Sequence, residues 1–361
     1  MDFRSDNTAG FAPEILAALA AANEGPRTSY GEDEQTQRVQ AQLQGLFETE
    51  LTAYFVATGT AANALGLSLL APAWGTIFCH VDAHIAVDEC GAPEFFTGGA
   101  KLQPLAGEHG KLHAGTLARQ LPGALGVVHH SQPAAVSISQ ASEAGTCYRP
   151  EEIAALARIA HRHGLGVHMD GARFANAAAF LGVTPAELSW RSGVDVLSFG
   201  ASKNGALAAE AILVFDPSRA ASLGFRRKRA GHLFSKMRVL SAQLEAYLTD
   251  DLWLRQARHA NAMAQRLAEA LKAVAPVRLC HPVEANEVFV ELPERLIQAL
   301  YAEGFQFYRW MDERSTTVRL VTAFNTRPQD VEALVAAVKH HAQDGAAGAV
   351  ADASQSFEGK R

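Results

Sequence analysis

The stretch Gly166-Val167-His168-Met169-Asp170-Gly171-Ala172-Arg173 runs from a short apolar segment into an acidic residue, a glycine and a basic residue. A buried strand that ends on a carboxylate points to a parallel sheet, because open α/β sheets gather their ligands outside the carboxyl ends of the strands. The preceding segment, Pro150 to His163, reads PEEIAALARIAHRH, with a proline and two acids at its start and basic residues at its end, as a crossover helix should. Similar buried-strand runs occur at Leu51 to Ala57, Thr76 to His80, Ala135 to Ile138, Val194 to Phe199 and Ala211 to Phe215, and a further helical pattern spans Ala61 to Leu70. The alternation predicts an α/β domain with a mostly parallel sheet.

Beyond a basic stretch, Phe225 to Lys236, one long helical pattern runs from about Ser241 to Ala273 and stops before Pro276. Residues 277–343 then read as a smaller α+β unit, with strands at Glu287 to Leu292, Phe305 to Trp310 and Thr317 to Thr322 and a last helix from Pro328 to about His341. The expected division is a large domain over 1–240 that includes the N-terminal segment, a connecting helix and small domain over 241–343, and a flexible tail over 344–361.

Composition narrows the function classes. The chain has 361 residues, 48% hydrophobic and 19% charged, which is the mix of a globular protein with ample core. A formal charge of −6 gives no general attraction to nucleic acid or anionic membrane. Cys79, Cys90, Cys147 and Cys280 show no metal-ligand or disulfide spacing, so no metal is expected and a reducing cytoplasm fits. The apolar segment Phe11 to Ala22 contains Glu14 and lacks a basic lead, which suggests an amphipathic helix, not a signal peptide. No run reaches the length of a membrane span.

Three segments carry chemistry. Thr58-Gly59-Thr60 follows one strand and opens a helix, where backbone N–H groups and threonine hydroxyls can cup a phosphate; an ordinary N-capped helix start looks the same. Asp170 and Arg173 lie at a strand's carboxyl edge, where they can meet a ligand or simply pair with each other. Lys203, in Ser198-Phe199-Gly200-Ala201-Ser202-Lys203-Asn204-Gly205, sits among small residues with few local charges, a setting that suits a nucleophilic amine. The order of phosphate cup, strand-end aspartate and loop lysine places all three on one sheet edge.

With these motifs the sequence resembles the threonine aldolases, enzymes of the aspartate-aminotransferase-like fold (fold type I) that use pyridoxal 5′-phosphate (PLP). The likeness extends from Phe3-Arg4-Ser5-Asp6-Asn7 and Ser29-Tyr30-Gly31-Glu32-Asp33 to Val318-Arg319-Leu320-Val321-Thr322. The stretches Asp88 to Phe96 and Lys236-Met237-Arg238 are similar to the bacterial low-specificity L-threonine aldolases, also described as phenylserine aldolases. The resemblance implies retro-aldol cleavage of β-hydroxy-α-amino acids to glycine and an aldehyde, in a homodimer or homotetramer with shared active sites. It also implies residue roles. Lys203 would carry PLP as a Schiff base, Asp170 would pair with its ring nitrogen, His84 would stack on the ring, and Arg173 would lie by the ring oxygen and the substrate. Thr58, Gly59 and Thr60 would bind the phosphate, with Lys228 reaching it across a subunit boundary. Ser5 and Arg319 would hold the substrate carboxylate, and Tyr30 would be lent to a neighbouring site.

One departure stands out. Many threonine aldolases carry a second histidine, which contacts the substrate hydroxyl, in the loop after the strand placed at Ala135 to Ile138. Here Ser139 to Gly145 holds none, and His129 and His130 precede the strand. The base for the β-hydroxyl and the threo/erythro preference therefore stay open. So do another fold-type-I activity, such as β-elimination or racemisation, and a non-catalytic binding protein of the same fold. A nicotinamide-dependent dehydrogenase is disfavoured by the missing glycine fingerprint.

Overall fold

The strands are rich in Val, Ile, Leu and Phe because helices cover both faces of the sheet they form. The computed structural model describes residues 1–121 and 125–358. The large sheet contains β1 (Thr52–Val56), β2 (Gly75–His80), β3 (Lys101–Leu105), β4 (Gln132–Ser139), β5 (Gly166–Gly171), β6 (Val196–Gly200) and β7 (Glu210–Val214), in the order β1-β7-β6-β5-β4-β2-β3. All pairings from β6 through β3 are parallel, as expected, whereas β7 runs antiparallel to both β6 and β1. The reversal follows from connection length: the turn Ala201–Ala209 is too short for the dozen or so residues a parallel crossover needs. β3 escapes sequence reading because Lys101, Gln103 and Pro104 break the apolar pattern, and a proline is tolerated there only because the strand lies at the edge.

The register gathers chemistry at one margin. Val56 and Gly200 both pair with Glu210, Phe199 pairs with Gly171, and Ser139 pairs with Asp170. The carboxyl ends of β1, β4, β5 and β6 and the start of β7 therefore share an edge. Behind it, Phe47 packs on Phe174, Phe199 and Phe215 at ring separations of 5.6–5.9 Å, and Phe199 reaches Trp253 at 6.1 Å.

A second sheet, antiparallel, comprises β8 (Arg278–Leu279), β9 (Glu287–Glu291), β10 (Tyr308–Arg309) and β11 (Thr317–Val321), in the order β10-β11-β9-β8. The strand expected over Phe305 to Trp310 joins the sheet only at Tyr308–Arg309, with an isolated parallel bridge from Gln306 to Asp2. Residues 1–3, expected with the large domain, run beside this unit instead. Phe3 donates to Gln306 O at 2.7 Å, accepts from Val321 N at 2.8 Å, and is buried among Leu267, Leu300 and Leu320. An apolar residue so near a chain end gains most by entering the neighbouring core.

The pattern read as one helix from Ser241 to Ala273 is two, Arg238–Leu248 and Leu252–Lys272, broken at Thr249–Asp251. Asp250 and Asp251 take φ of 52° and 54°, a left-handed geometry that short polar side chains tolerate. The second helix gives Trp253 and Ala257 to the large core and Leu267 and Leu271 to the small one. The last helix extends over Pro328–Glu358, past the expected end at His341. Tail residues 359–361 lie outside the described residues.

Lys203 rides on the short turn between β6 and β7, and that turn is anchored. Asn204 Nδ2 donates to Tyr247 Oη and to Trp253 O, both at 2.8 Å. Gly205 has φ +99°, and a Cβ there would lie 2.9 Å from Gln256 Nε2. Gly205→Ala should thus cost about 1–3 kcal/mol through backbone strain. The check is a lower denaturant midpoint at unchanged slope.

Candidate active site

Two adjoining cavities, of about 890 and 370 Å3, open on the sheet margin and share Asn7, His84, Glu143, Arg173 and Lys203 as lining. The inner chamber is walled by Thr58, Gly59, Thr60, Asn63, Asp170 and Glu210, and the outer one by Ser5, Tyr308, Trp310 and Arg319. Lys203 thus stands at the junction, and its ammonium makes no hydrogen bond or ion pair within the described residues.

The inner chamber offers two kinds of anchor. The helix Gly59–Leu70 begins there, capped by Thr58, whose hydroxyl accepts from Ala61 N at 3.2 Å. The N–H groups of Gly59 and Thr60 have no preceding turn to bond, and a Cβ on Gly59 would meet nothing within 4 Å. That open, electropositive corner suits an anion. Opposite, Asp170 accepts from Asn63 Nδ2 at 2.8 Å and from Ala172 N at 3.0 Å, which fixes its carboxylate. Asn63 also donates to Glu89 at 2.8 Å, leaving its own Oδ1 buried and unpaired. His168, two residues before Asp170, is buried between the Ser137 and Ser198 hydroxyls, and burial brings its pKa down to about 4, so it remains a neutral structural group.

His84 lines both chambers. Its Nδ1 lies 2.9 Å from Glu89 Oε1, a buried carboxylate, and this contact raises the imidazole pKa above its ordinary 6.5. On β7, burial pushes Glu210 up to about 7.

Arg173 does not pair with Asp170. Its Nε and Nη2 grip Asp6 at 2.8 and 3.0 Å, and Nη1 lies 3.2 Å from Glu287 at the start of β9. Asn286 also donates to Asp6, at 3.0 Å. Arg319, on β11, is freer: it reaches Glu287 only at 3.7 Å and Arg4 O at 3.4 Å, and its buried Nε has no partner. Trp310 backs its guanidinium at 5.2 Å. Ser5, beside it on the cavity wall, accepts from Asn7 N at 3.1 Å. The arrangement leaves Arg319 open to a ligand carboxylate.

Not every expected residue gathers here. Tyr30 and Lys228 are exposed and line neither cavity; they lie against each other instead, with the Lys228 ammonium 5.2 Å from the Tyr30 ring. Conversely, Asp6, Asn63, Glu89, Glu143, Glu210 and Glu287 all reach the site or its supports without having been singled out. Asn63 had a detectable signal, being one helical turn beyond Gly59. The others needed the fold.

Comparisons with known proteins place the chain. The family model "Beta-eliminating lyase" matches residues 2–295. A low specificity L-threonine aldolase of Pseudomonas aeruginosa is 47% identical over 86% of this chain and 90% of its own. A second such aldolase, from a Pseudomonas species, is 43% identical over 93% of this chain and 96% of its own. In structure, the threonine aldolase of Leishmania major matches with TM-score 0.89 at 27% identity, over 94% of this chain and 99% of that one.

Asp6 offers a stability test of the buried cluster. Burial alone would raise its pKa, but the charges of Arg173 and Lys203, with hydrogen bonds from Arg173 and Asn286, outweigh it and hold the carboxyl below its ordinary 3.8. Asp6→Asn should cost roughly 3 kcal/mol at neutral pH, the low end for breaking a buried pair, since Glu287 still faces Arg173. A depressed pKa contributes its stability above the unfolded value and loses it as pH falls through the folded one. Urea melts from about pH 6 to about pH 3 should therefore show the gap between the two proteins closing below about pH 4.

Proposed function

The chain belongs to the beta-eliminating lyase family, and from that membership we infer that it uses PLP to cleave β-hydroxy-α-amino acids, of the threonine and phenylserine type, to glycine and an aldehyde. The observation that carries this reading is the unpartnered Lys203 amine at the junction of a chamber built for an anion and a ring with one built for a carboxylate. The residues fit the cofactor. The open N-terminus at Gly59 and Thr60 suits its phosphate, the fixed carboxylate of Asp170 suits its ring nitrogen, and Lys203 supplies the amine that links to its aldehyde carbon. When bound, PLP acts as an electron sink for the bond broken at the substrate's Cα.

The remaining work falls to the chain. Arg319, with Ser5 nearby, holds the substrate carboxylate, and the rigid backing of Trp310 sets its plane. Asp170 keeps a positive charge on the ring nitrogen through a carboxylate already held by two donors. His84, fixed by Glu89, would lie against the ring. Arg173, ion-paired to Asp6 and Glu287, contributes positive potential at the cavity wall. Tyr30 and Lys228, which line neither of this chain's cavities, would serve a neighbouring site in a homodimer or homotetramer. Among the described residues no helix is long and apolar enough to cross a membrane. The four free cysteines suit the reducing cytoplasm.

The test is the absorption spectrum of the purified protein followed by a glycine assay with threonine and phenylserine. Glycine with the matching aldehyde is expected; colour without glycine would retain the cofactor and remove the aldolase. Lys203→Ala should abolish the borohydride-reducible link and nearly all turnover. Arg319→Leu should keep the cofactor spectrum yet lose substrate binding by about 30-fold or more, equivalent to roughly 2 kcal/mol or above for an unpaired buried charge.

A further inference from the structure

The loop that lacks a histidine holds a carboxylate in the place that matters. Glu143 is one of five residues that line both chambers, and it therefore borders the junction where Lys203 stands. Its position is imposed by a tightly bonded loop. Gln140 N donates to Asp170 O at 2.7 Å, and the Gln140 amide exchanges bonds with Tyr148 N and O, both at 2.9 Å. Ser142 N donates to Thr146 O at 2.8 Å, and the two hydroxyls meet at 2.8 Å. Gly145, at φ +71°, lets this turn press against Glu287, where a Cβ would come within 3.1 Å of its carbonyl oxygen. The loop thus projects Glu143 until its Oε1 accepts from His84 N at 3.3 Å, while Oε2 has no hydrogen bond among the described residues.

The other four shared residues have prior commitments or the wrong chemistry. Arg173 is a permanent cation clamped by Asp6 and Glu287. Lys203 is engaged by the cofactor in the reading above. Asn7 is an amide with no useful basicity. His84 is tied through Nδ1 to Glu89, which favours its protonated form, so it is better placed to donate than to accept.

Resting on the aldolase reading, we propose that Glu143 is the catalytic base that takes the proton from the substrate's β-hydroxyl. In that step the O–H proton passes to a Glu143 carboxylate oxygen and the O–H electron pair becomes the second bond of the aldehyde carbonyl. The Cα–Cβ pair remains with Cα, in the sink already described. A proton later added at Cα completes glycine, so cleavage takes up no net proton. The charged groups around Glu143 are Lys203, His84, Arg173, Asp170 and Glu287. Burial acts first to raise its pKa, Asp170 and Glu287 add to the rise, and Lys203 and His84 oppose it, leaving the carboxyl above its ordinary 4.5. A raised value brings a carboxylate base nearer its operating range.

The experiment uses Glu143→Gln, which preserves shape and an acceptor for His84 N, and Glu143→Asp, which preserves the carboxylate. With the holoenzyme, Glu143→Gln should lower kcat for threonine by about 10²-fold or more while exchange of the glycine α-proton, which involves no hydroxyl, stays within about twofold. The acidic limb of kcat/KM for threonine should vanish in Glu143→Gln and survive in Glu143→Asp. In the cofactor-free protein, the infrared difference between the unsubstituted protein and Glu143→Gln should contain a protonated-carboxyl band that titrates above the ordinary glutamate value, since the bands of the likewise raised Glu210 and Glu89 are common to both and cancel. Near-normal threonine cleavage by Glu143→Gln, an equal loss of glycine exchange, or absence of that band from the difference would each overturn the proposal. If instead the unsubstituted enzyme releases no glycine from threonine, the aldolase reading itself fails, a result visible before any variant is made.

Discussion

The site depends on where the Arg173 guanidinium is held. It leaves the large sheet just after β5, and its partners come from far away in sequence: Asp6 from the N-terminal segment and Glu287 from the first residue of β9. A buried cation must be compensated, so these three chain segments cannot separate without stranding a charge. The same contact sets Ser5 and Arg319 at the cavity wall, because Ser5 adjoins Asp6 and Arg319 pairs in register with Phe289, two residues along from Glu287. One ion-pair cluster therefore fixes the distance between the Asp170 end of the cleft and the Arg319 end.

Electrostatic division of labour follows from the surroundings. Carboxylates at 89, 143, 170, 210 and 287 crowd the margin, and their roles separate by environment. Asp170, with two donors on its oxygens, is fixed in place as an anchor. Glu210, buried at the start of β7, is pushed up to about 7. Glu89 is spent on His84 and Asn63. Only Glu143 combines access to both chambers with an oxygen free of hydrogen bonds among the described residues. Similar side chains thus come to serve as anchor, support and base.

Much of this was legible in the sequence, and what was hidden had physical reasons. The buried strands around Asp170 and Lys203 and the Thr58-Gly59-Thr60 helix start are local signals, and they suffice for a mostly parallel sheet with chemistry at its edge. The reversal of β7 depends on turn length, which hydrophobic pattern does not report. Phe3 belongs to the small unit because its partners Gln306 and Val321 are distant in sequence. The break at Thr249–Asp251 lies inside continuous helical periodicity and turns on two left-handed residues. Glu143 gives no signal of its own in the sequence, since a lone glutamate in a polar loop ordinarily belongs to solvent. The roles of Tyr30 and Lys228 rest on family likeness, and in one chain by itself neither lines the cleft.

The helix Leu252–Lys272 has a consequence for how the molecule comes apart. Its first turns bury Trp253 and Ala257 in one core and its later turns bury Leu267 and Leu271 in the other. Melting either core strips apolar cover from the remaining half of the same helix, and a half-exposed helix of that kind has little stability of its own. The two units are therefore joined by a shared structural member and not by a tether. Hydrogen exchange along that helix should report a single cooperative opening, in which the cofactor chamber and the carboxylate chamber are lost together.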